Sequence, residues 1–325
     1  MRVLAVTSVG GACGIANYAE MAMDAVRAAD PTIQTQCSAE ALDPRWVWTT
    51  TFAPFPDVIW LNYHRGLHSR WTLDEVAQLQ QAGRKVVITF HDTYGESAPD
   101  ALTQALHDLA DAFIVHEPCV GLDKQILIRQ GVPPYHGYME YDYRLTNWRP
   151  VLGTAGFNFP WKNFDRLAEV TAEAGWAYVV YSNNATEADR ERWTSANPYT
   201  QVFTGFLPTS VIVAGLAGCD ATAFPYECAN SGTSGAIRLG IAARKPVLAF
   251  SGCRQMRDLV LPAAGGPGAM PDPRITRCAN FTHLHEYLQV LHIQRVDAGI
   301  VALATRDSWV NQGKKYAEVF RRVLA

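Results

Sequence analysis

Short apolar runs recur along the chain, and between them lie segments whose apolar positions return every three or four residues. In the first half the runs fall at Arg2–Thr7, Asp57–Tyr63, Lys85–His91 and Ala112–His116 and read as strands. Helical spacing falls between them, at Asn17–Ala29, Leu73–Ala82 and Asp100–Leu109. Strand and helix alternate, the pattern of a parallel sheet joined by crossover helices. VIWLNY and KVVITF are apolar nearly throughout, as suits strands covered on both faces.

The second half repeats the pattern. Strands are expected at Val151–Thr154, Trp176–Tyr181, Val202–Thr204, Ala221–Phe224 and Pro246–Ala249. Helices are expected at Asn163–Ala174, Ser210–Gly218, Ser234–Ala243 and His283–Gln289. The polar, aromatic stretch YDYRLTNWRPV places a boundary near Tyr143–Pro150, and the Gly/Pro-rich segment Pro262–Pro273 reads as a surface loop. The expected fold is α/β, with two doubly wound, Rossmann-like domains facing a cleft: residues 1–148 and residues 149–306. Ligands of such sheets sit beyond the carboxyl ends of the strands, so chemistry is sought in the strand-to-helix turns.

Composition narrows the class. The chain has 325 residues, 48% of them hydrophobic and 18% charged. It contains no apolar stretch long enough to cross a bilayer. MRVLAVTSVGG reads as a buried first strand rather than a secretory signal. Seven cysteines with no C-x-x-C pair fit reduced thiols, so the expected location is the cytoplasm. No H-E-x-x-H, Cys/His cluster or D-x-D motif occurs, and no metal site is expected. Net charge is −3, against a generic nucleic-acid binder. It is unevenly spread: residues 1–150 hold 11 basic and 17 acidic side chains, the remainder 17 and 14. The mildly basic second half fits binding of an anion.

Four turns carry candidate chemistry. After the first strand, Gly10, Gly11 and Gly14 allow close backbone approach at a helix start that also holds Asn17. The spacing is not that of the G-x-G-x-x-G dinucleotide loop. The strand Lys85–His91 ends in Thr89-Phe90-His91-Asp92, where His91 is placed to meet a phosphate or a sugar hydroxyl. In the second half, Gly156 follows a strand and Lys162 opens a helix, a combination of amide donors and a point charge suited to a diphosphate. Last, Glu227 precedes Ser231-Gly232-Thr233-Ser234, small residues with unobstructed N–H groups at a helix start that continues to Arg238. Each turn taken alone also fits an ordinary structural role.

Taken in order, these turns resemble a GT-B glycosyltransferase of the GT4-like retaining group. GGACGIANYAE resembles its N-terminal glycine loop, TFHDT its strand-end His-Asp, and DAFIVHEP and VPPYHGY the last strands of its first domain. GTAGFNFPWKNFDRLAEV resembles the phosphate-binding lysine and helix of the donor domain. FTGFLPTSVIVAGLAGCDATAFPYE and SGTSGAIRLGIAARKPVLAF resemble its nucleotide-sugar site, and DSWVNQGKKYAEVFRRVL its final helix. The resemblance implies that residues 307–325 cross back to an acceptor-side first domain. It implies transfer from a nucleotide diphosphate sugar, such as a UDP- or GDP-sugar, to an acceptor hydroxyl, with retention and with no cofactor or metal. His91, Lys162 and Glu227 would be catalytic. Gly156, Lys162, Phe206, Ser231, Gly232, Thr233, Ser234 and Arg238 would hold the donor. Gly11, Gly14, Asn17, Tyr63, His64 and Arg65 would line the acceptor side.

The family usually carries a Glu-x7-Glu pair where this chain has Ser231 and Leu239. The expected acceptor is a saccharide or small molecule. Two alternatives stay open. Aromatics interleaved with bases in Tyr63–Trp71 would suit a hydroxylated DNA base as acceptor. The absent glutamates would suit a catalytically inactive nucleotide-sugar-binding or scaffold protein.

Overall fold

The computed structural model describes residues 1–8, 13–49, 55–64, 68–91, 99–119, 121–139, 149–227, 234–251, 259, 275–291 and 298–325. The expected boundary near Tyr143–Pro150 lies largely outside the described residues, and the expected loop at Pro262–Pro273 wholly so. The chain divides into two compact units. The first comprises Met1–Gly131 with Trp309–Ala325; the second begins at Val132 and runs to Ser308. The described residues 132–139, placed in the first domain by the sequence, thus belong to the second unit.

The first unit is built from β1 (Arg2–Val6), α1 (Gly14–Ala29), β2 (Gln34–Ser38), α2 (Pro44–Thr49), β3 (Val58–Tyr63), α3 (Leu73–Gln81), β4 (Lys85–Phe90), α4 (Ala101–Leu109), β5 (Ala112–Val115) and β6 (Gln125–Leu127). Its strands pair in parallel in the order β2-β1-β3-β4-β5-β6. Alternate residues feed two cores. Val3, Ala5, Val58 and Trp60 pack on α1, while Leu4, Val6, Ile59 and Leu61 pack with Val76 and Leu79 of α3. Helix ends are set locally: Thr72 and Glu75 form a reciprocal capping box on α3, and Asp100 caps α4.

The second unit contains β7 (Val151–Ala155), α5 (Phe164–Ala174), β8 (Ala177–Ser182), α6 (Glu187–Ala196), β9 (Thr200–Thr204), α7 (Thr209–Gly218), β10 (Ala221–Phe224), α8 (Gly235–Ala242), β11 (Val247–Phe250), β12 (Ile275–Cys278), α9 (Phe281–Val290) and α10 (Ala298–Arg306). The order is β12-β11-β10-β7-β8-β9, again parallel. Its first strand, β7, therefore sits beside its fourth, β10. Successive connections leave this point in opposite directions, which opens a crevice at the strand ends. Both units thus have the two-sided α/β layering expected from the sequence. Among the described residues, no helix is long and apolar enough to cross a membrane.

The last helix, α11 (Trp309–Leu324), belongs to the first unit and packs along α1. Its buried residues Trp309, Gln312, Gly313, Tyr316, Ala317 and Phe320 follow helical spacing. Gly313 lets the two backbones meet: a Cβ there would lie 2.4 Å from the Ala25 carbonyl oxygen. Behind this contact, the hydroxyls of Tyr18 and Tyr316 bond to one another, Tyr316 bonds to Thr89, and Trp60 Nε1 donates to Thr89 Oγ1 at 2.8 Å. Burial raises both tyrosines above their ordinary range, so the hydroxyls keep their protons. The packing predicts that Gly313→Ala destabilises the protein by about 1–3 kcal/mol in urea unfolding. The exposed control Lys314→Ala is expected to stay within about 0.5 kcal/mol.

Candidate functional site

The second unit brings Gly156, Lys162 and the first turn of α8 together at the crevice between β7 and β10. β7 ends at Ala155, whose carbonyl accepts from the buried Tyr226 hydroxyl at 3.1 Å, so the two strand ends are tied together. Gly156 follows with φ +130, a conformation that favours glycine. A Cβ there would lie 2.6 Å from Lys162 Nζ and 3.3 Å from Ala236 Cβ in the first turn of α8. The missing side chain is therefore what brings the ammonium, the β7 turn and the start of α8 together. Asn163 turns the chain with φ 59, and its side chain donates to Pro225 O at 2.8 Å. Glu227 N donates to Trp161 O at 2.8 Å, which completes the tie between the two turns.

Lys162 is 6% exposed. Its Nζ lies 5.1–5.9 Å from the ring centres of Phe157, Phe159, Trp161 and Tyr226. Phe157, Phe159 and Trp161 stack in sequence at 5.9 and 5.7 Å. Among the described residues, no carboxylate pairs with Lys162. Burial pushes its ammonium down to about 7, while the ring faces favour the charged form. An anion placed beside Nζ would restore the proton. The first turn of α8, with Ala236 beside Gly156, adds to the positive field.

The other donor-side candidates are spread more widely. Ser234 caps α8, its Oγ accepting from Ile237 N at 3.4 Å. Arg238 is buried within α8, Glu227 is exposed, and Phe206 stands exposed after β9. Ser231, Gly232 and Thr233 lie outside the described residues. The aromatic stack was not anticipated, although the period-two spacing in Phe157-Asn158-Phe159-Pro160-Trp161 is a readable signal for rings on one face.

In the first unit, His91 follows β4, and its backbone N donates to Tyr63 O at 3.1 Å. Its ring is half-buried and meets Asn62 at 3.4 Å and His116 at 3.4 Å. Burial, then the nearby imidazoles of His116, His68 and His64, push His91 well below its ordinary value, so the ring is neutral at neutral pH. Gly14 and Asn17 lie in the first turn of α1, and a Cβ on Gly14 would meet nothing within 4 Å. Gly11 and Arg65 lie outside the described residues. The sequence reading passed over His116, which ends the apolar run before it just as His91 does.

The segment Tyr63–Trp71, of which residues 65–67 lie outside the described residues, gives no support to a stacking surface for a nucleic acid. Tyr63, His68 and Trp71 are buried at 3%, 1% and 5% exposure. Tyr63 stacks on His68 at 5.5 Å, Trp71 Nε1 donates to Ala41 O, and Arg70 pairs with Asp43 at 3.1 Å. Apolar burial of the rings has won over exposure, so they offer no face to a base.

No family model matches the sequence, and no curated protein resembles it closely enough to be matched. Solved structures do match in shape. The lipopolysaccharide outer core galactosyltransferase WaaB, apo form, superposes with a TM-score of 0.62 at 10% identity over 99% of each chain. AviGT4, a glycosyltransferase involved in avilamycin A biosynthesis, gives 0.60 at 14% identity, over 99% of this chain and 98% of that one. The pneumococcal O-GlcNAc transferase GtfA, in complex with UDP and GlcNAc, gives 0.54 at 12% identity, over 82% of this chain. The match spans only 57% of the length of that GtfA chain. Similarity at this level establishes the fold, which is the GT-B architecture expected from the sequence.

The geometry makes a stability prediction. An unfolded lysine titrates near 10.4 and Lys162 near 7 in the folded chain. Between those values the unfolded chain holds a proton that the folded chain has released, so stability rises with pH across this window. Lys162→Met lacks this dependence. The unfolding free energy of the wild type relative to Lys162→Met is expected to climb from pH 7 to 10, by up to ~1.4 kcal/mol per pH unit. Parallel curves would show that Lys162 stays protonated.

Proposed function

We propose that the chain is a glycosyltransferase that moves a sugar from a nucleotide diphosphate sugar, such as a UDP- or GDP-sugar, to an acceptor hydroxyl. The observation that carries this reading is Lys162: a buried ammonium with no carboxylate partner among the described residues, set against a glycine turn and a helix start. Such a group favours an anion, and two proteins that share the fold are solved in complex with UDP. Charge that develops on the leaving diphosphate would be met by Lys162 and by the N-terminus of α8. We propose that this suffices without a metal, and that transfer proceeds with retention. Glu227, exposed beside the Trp161 turn, is assigned to a hydroxyl of the sugar or ribose. Neutral His91 is assigned to the donor sugar, and the Gly14–Asn17 turn to a saccharide or small-molecule acceptor.

A second reading, binding of a nucleotide sugar without turnover, is favoured by Leu239. It stands where the family usually has a glutamate and packs against the apolar cores. Turnover of a bound donor with any acceptor separates the two.

A thermal-shift screen with UDP, GDP, ADP, CDP and their sugar conjugates tests the donor site. A ligand at 100 times its Kd adds about 2.7 kcal/mol, a shift of several degrees. One nucleotide is expected to stabilise the wild type and to have much less effect on Lys162→Ala. Equal shifts in both proteins would remove Lys162 from the site, and no shift with any nucleotide would overturn the donor assignment.

A further inference from the structure

Lys162 sits where its charge depends on what lies beside it. The side chain is almost fully buried, with four ring centres 5.1–5.9 Å from Nζ. The charged and titratable side chains on the elements around it are few. Asp165 and Arg166 open α5, Tyr226 and Glu227 follow β10, and Arg238 lies in α8. Asp165 accepts from Trp193 Nε1 and pairs with Arg192 at 3.0 Å. Arg166 pairs with Glu169 and Glu173 at 2.6 and 3.3 Å. The Tyr226 hydroxyl donates to Ala155 O, Glu227 is exposed, and buried Arg238 brings no negative charge. Residues 228–233, between Glu227 and Ser234, contain no carboxylate, and their one titratable side chain is Cys228. Among the described residues, nothing neutralises an ammonium at this place.

Two physical effects then compete. Loss of water disfavours the charged form, and burial is what lowers this amine, to about 7. The ring faces act the other way: within about 6 Å each attracts a cation, but none cancels its charge. An anion beside Nζ supplies the missing counter-charge and raises the amine again. The cage is thus dry enough to shed the proton when empty and ring-lined enough to hold it when filled. A carboxylate in the cage would have kept the amine charged in both states.

We propose that Lys162 takes up a proton from solvent when its anion binds and returns it when the anion leaves, so that above neutral pH the charge that grips a diphosphate is created by binding itself. The neutral amine, one solvent proton and the anion become an ammonium–anion pair, with an N–H bond as the one bond formed. That the anion is the diphosphate of a nucleotide sugar rests on the function proposed above; the proton uptake does not. An empty site that has lost its proton must regain it to bind, so the hold on the anion weakens by up to tenfold per pH unit as pH rises. Release of a diphosphate product is eased in the same direction.

Calorimetric titration of the full chain with UDP and with sodium sulfate, in buffers of different ionisation enthalpy, counts the protons. Both anions are almost fully ionised from pH 7.5 to 8.5. At pH 8 about 0.9 proton is expected to be taken up per anion bound, and affinity is expected to fall about eightfold across that range. Lys162→Arg keeps its charge at every pH and should bind with no uptake and a flat pH profile. A second measurement needs no ligand. The chain has six lysines, so the 13Cε signal of Lys162 in 13C-lysine-labelled protein is assigned by its loss in Lys162→Arg or Lys162→Met. Its midpoint is expected near 7 in the empty protein and at least one pH unit higher with saturating anion. A midpoint above about 9 in the empty protein would overturn the proposal. So would failure of both anions to bind. UDP bound without proton uptake would overturn the proposal and leave the function standing. Sulfate bound with uptake, with no response to UDP, would support the proton step and count against the nucleotide-sugar reading.

Discussion

A lysine amine taken out of water either loses its proton or needs a counter-charge, and the second unit buries one with no carboxylate partner among the described residues. Every local feature around Lys162 serves that arrangement. Gly156 removes the side chain that would displace Nζ, Asn163 turns the chain so that the lysine points inward, and Tyr226 ties β7 to β10 beneath it. Four ring faces surround the amine where a carboxylate would neutralise it permanently. Aromatic quadrupoles lower the cost of the charge without satisfying it, so the site is left ready for an anion from outside.

The first unit uses the opposite chemistry. Its candidate group is a histidine kept neutral by burial and by other imidazoles. What fixes it comes from the far end of the sequence: α11 docks on α1 through Gly313, Tyr316 bonds to Tyr18, and Tyr18 packs against His91 and His116. The last helix is thus part of the support for the strand-end histidine, and this accounts for the tyrosine on its buried face.

Much of this was legible in the sequence because parallel strands buried on both faces leave near-continuous apolar runs, and each expected strand is present within a residue or two of its place. The strands that were missed lie at or near sheet edges. β2 reads QTQCS because an edge strand is half solvated, and the short β6 and β12 leave little pattern. The helix α6 reads EADRERWTSA, too polar for an amphipathic stripe; only the capping box of Thr186 and Asp189 announces it. Lys162 and His91 were legible as candidates because strand-end turns are where α/β folds place ligands. His116 and the Phe157-Phe159-Trp161 stack were not, since their roles depend on partners distant in sequence or on a loop conformation that periodicity does not encode.

The absent glutamates bear on what remains to hold a sugar. A hydrogen bond to a charged group contributes about 1.5–3 kcal/mol, and Leu239, packed among apolar neighbours, has no polar group with which to make one. Two features of the chain offset it in kind. The stacked rings beside Lys162 supply dispersion to whatever lies over them, with Phe159 43% exposed. In the first unit, the neutral His91 offers hydrogen bonding without charge. Under the proposed function, the phosphate of a donor would then carry more of the grip than its sugar.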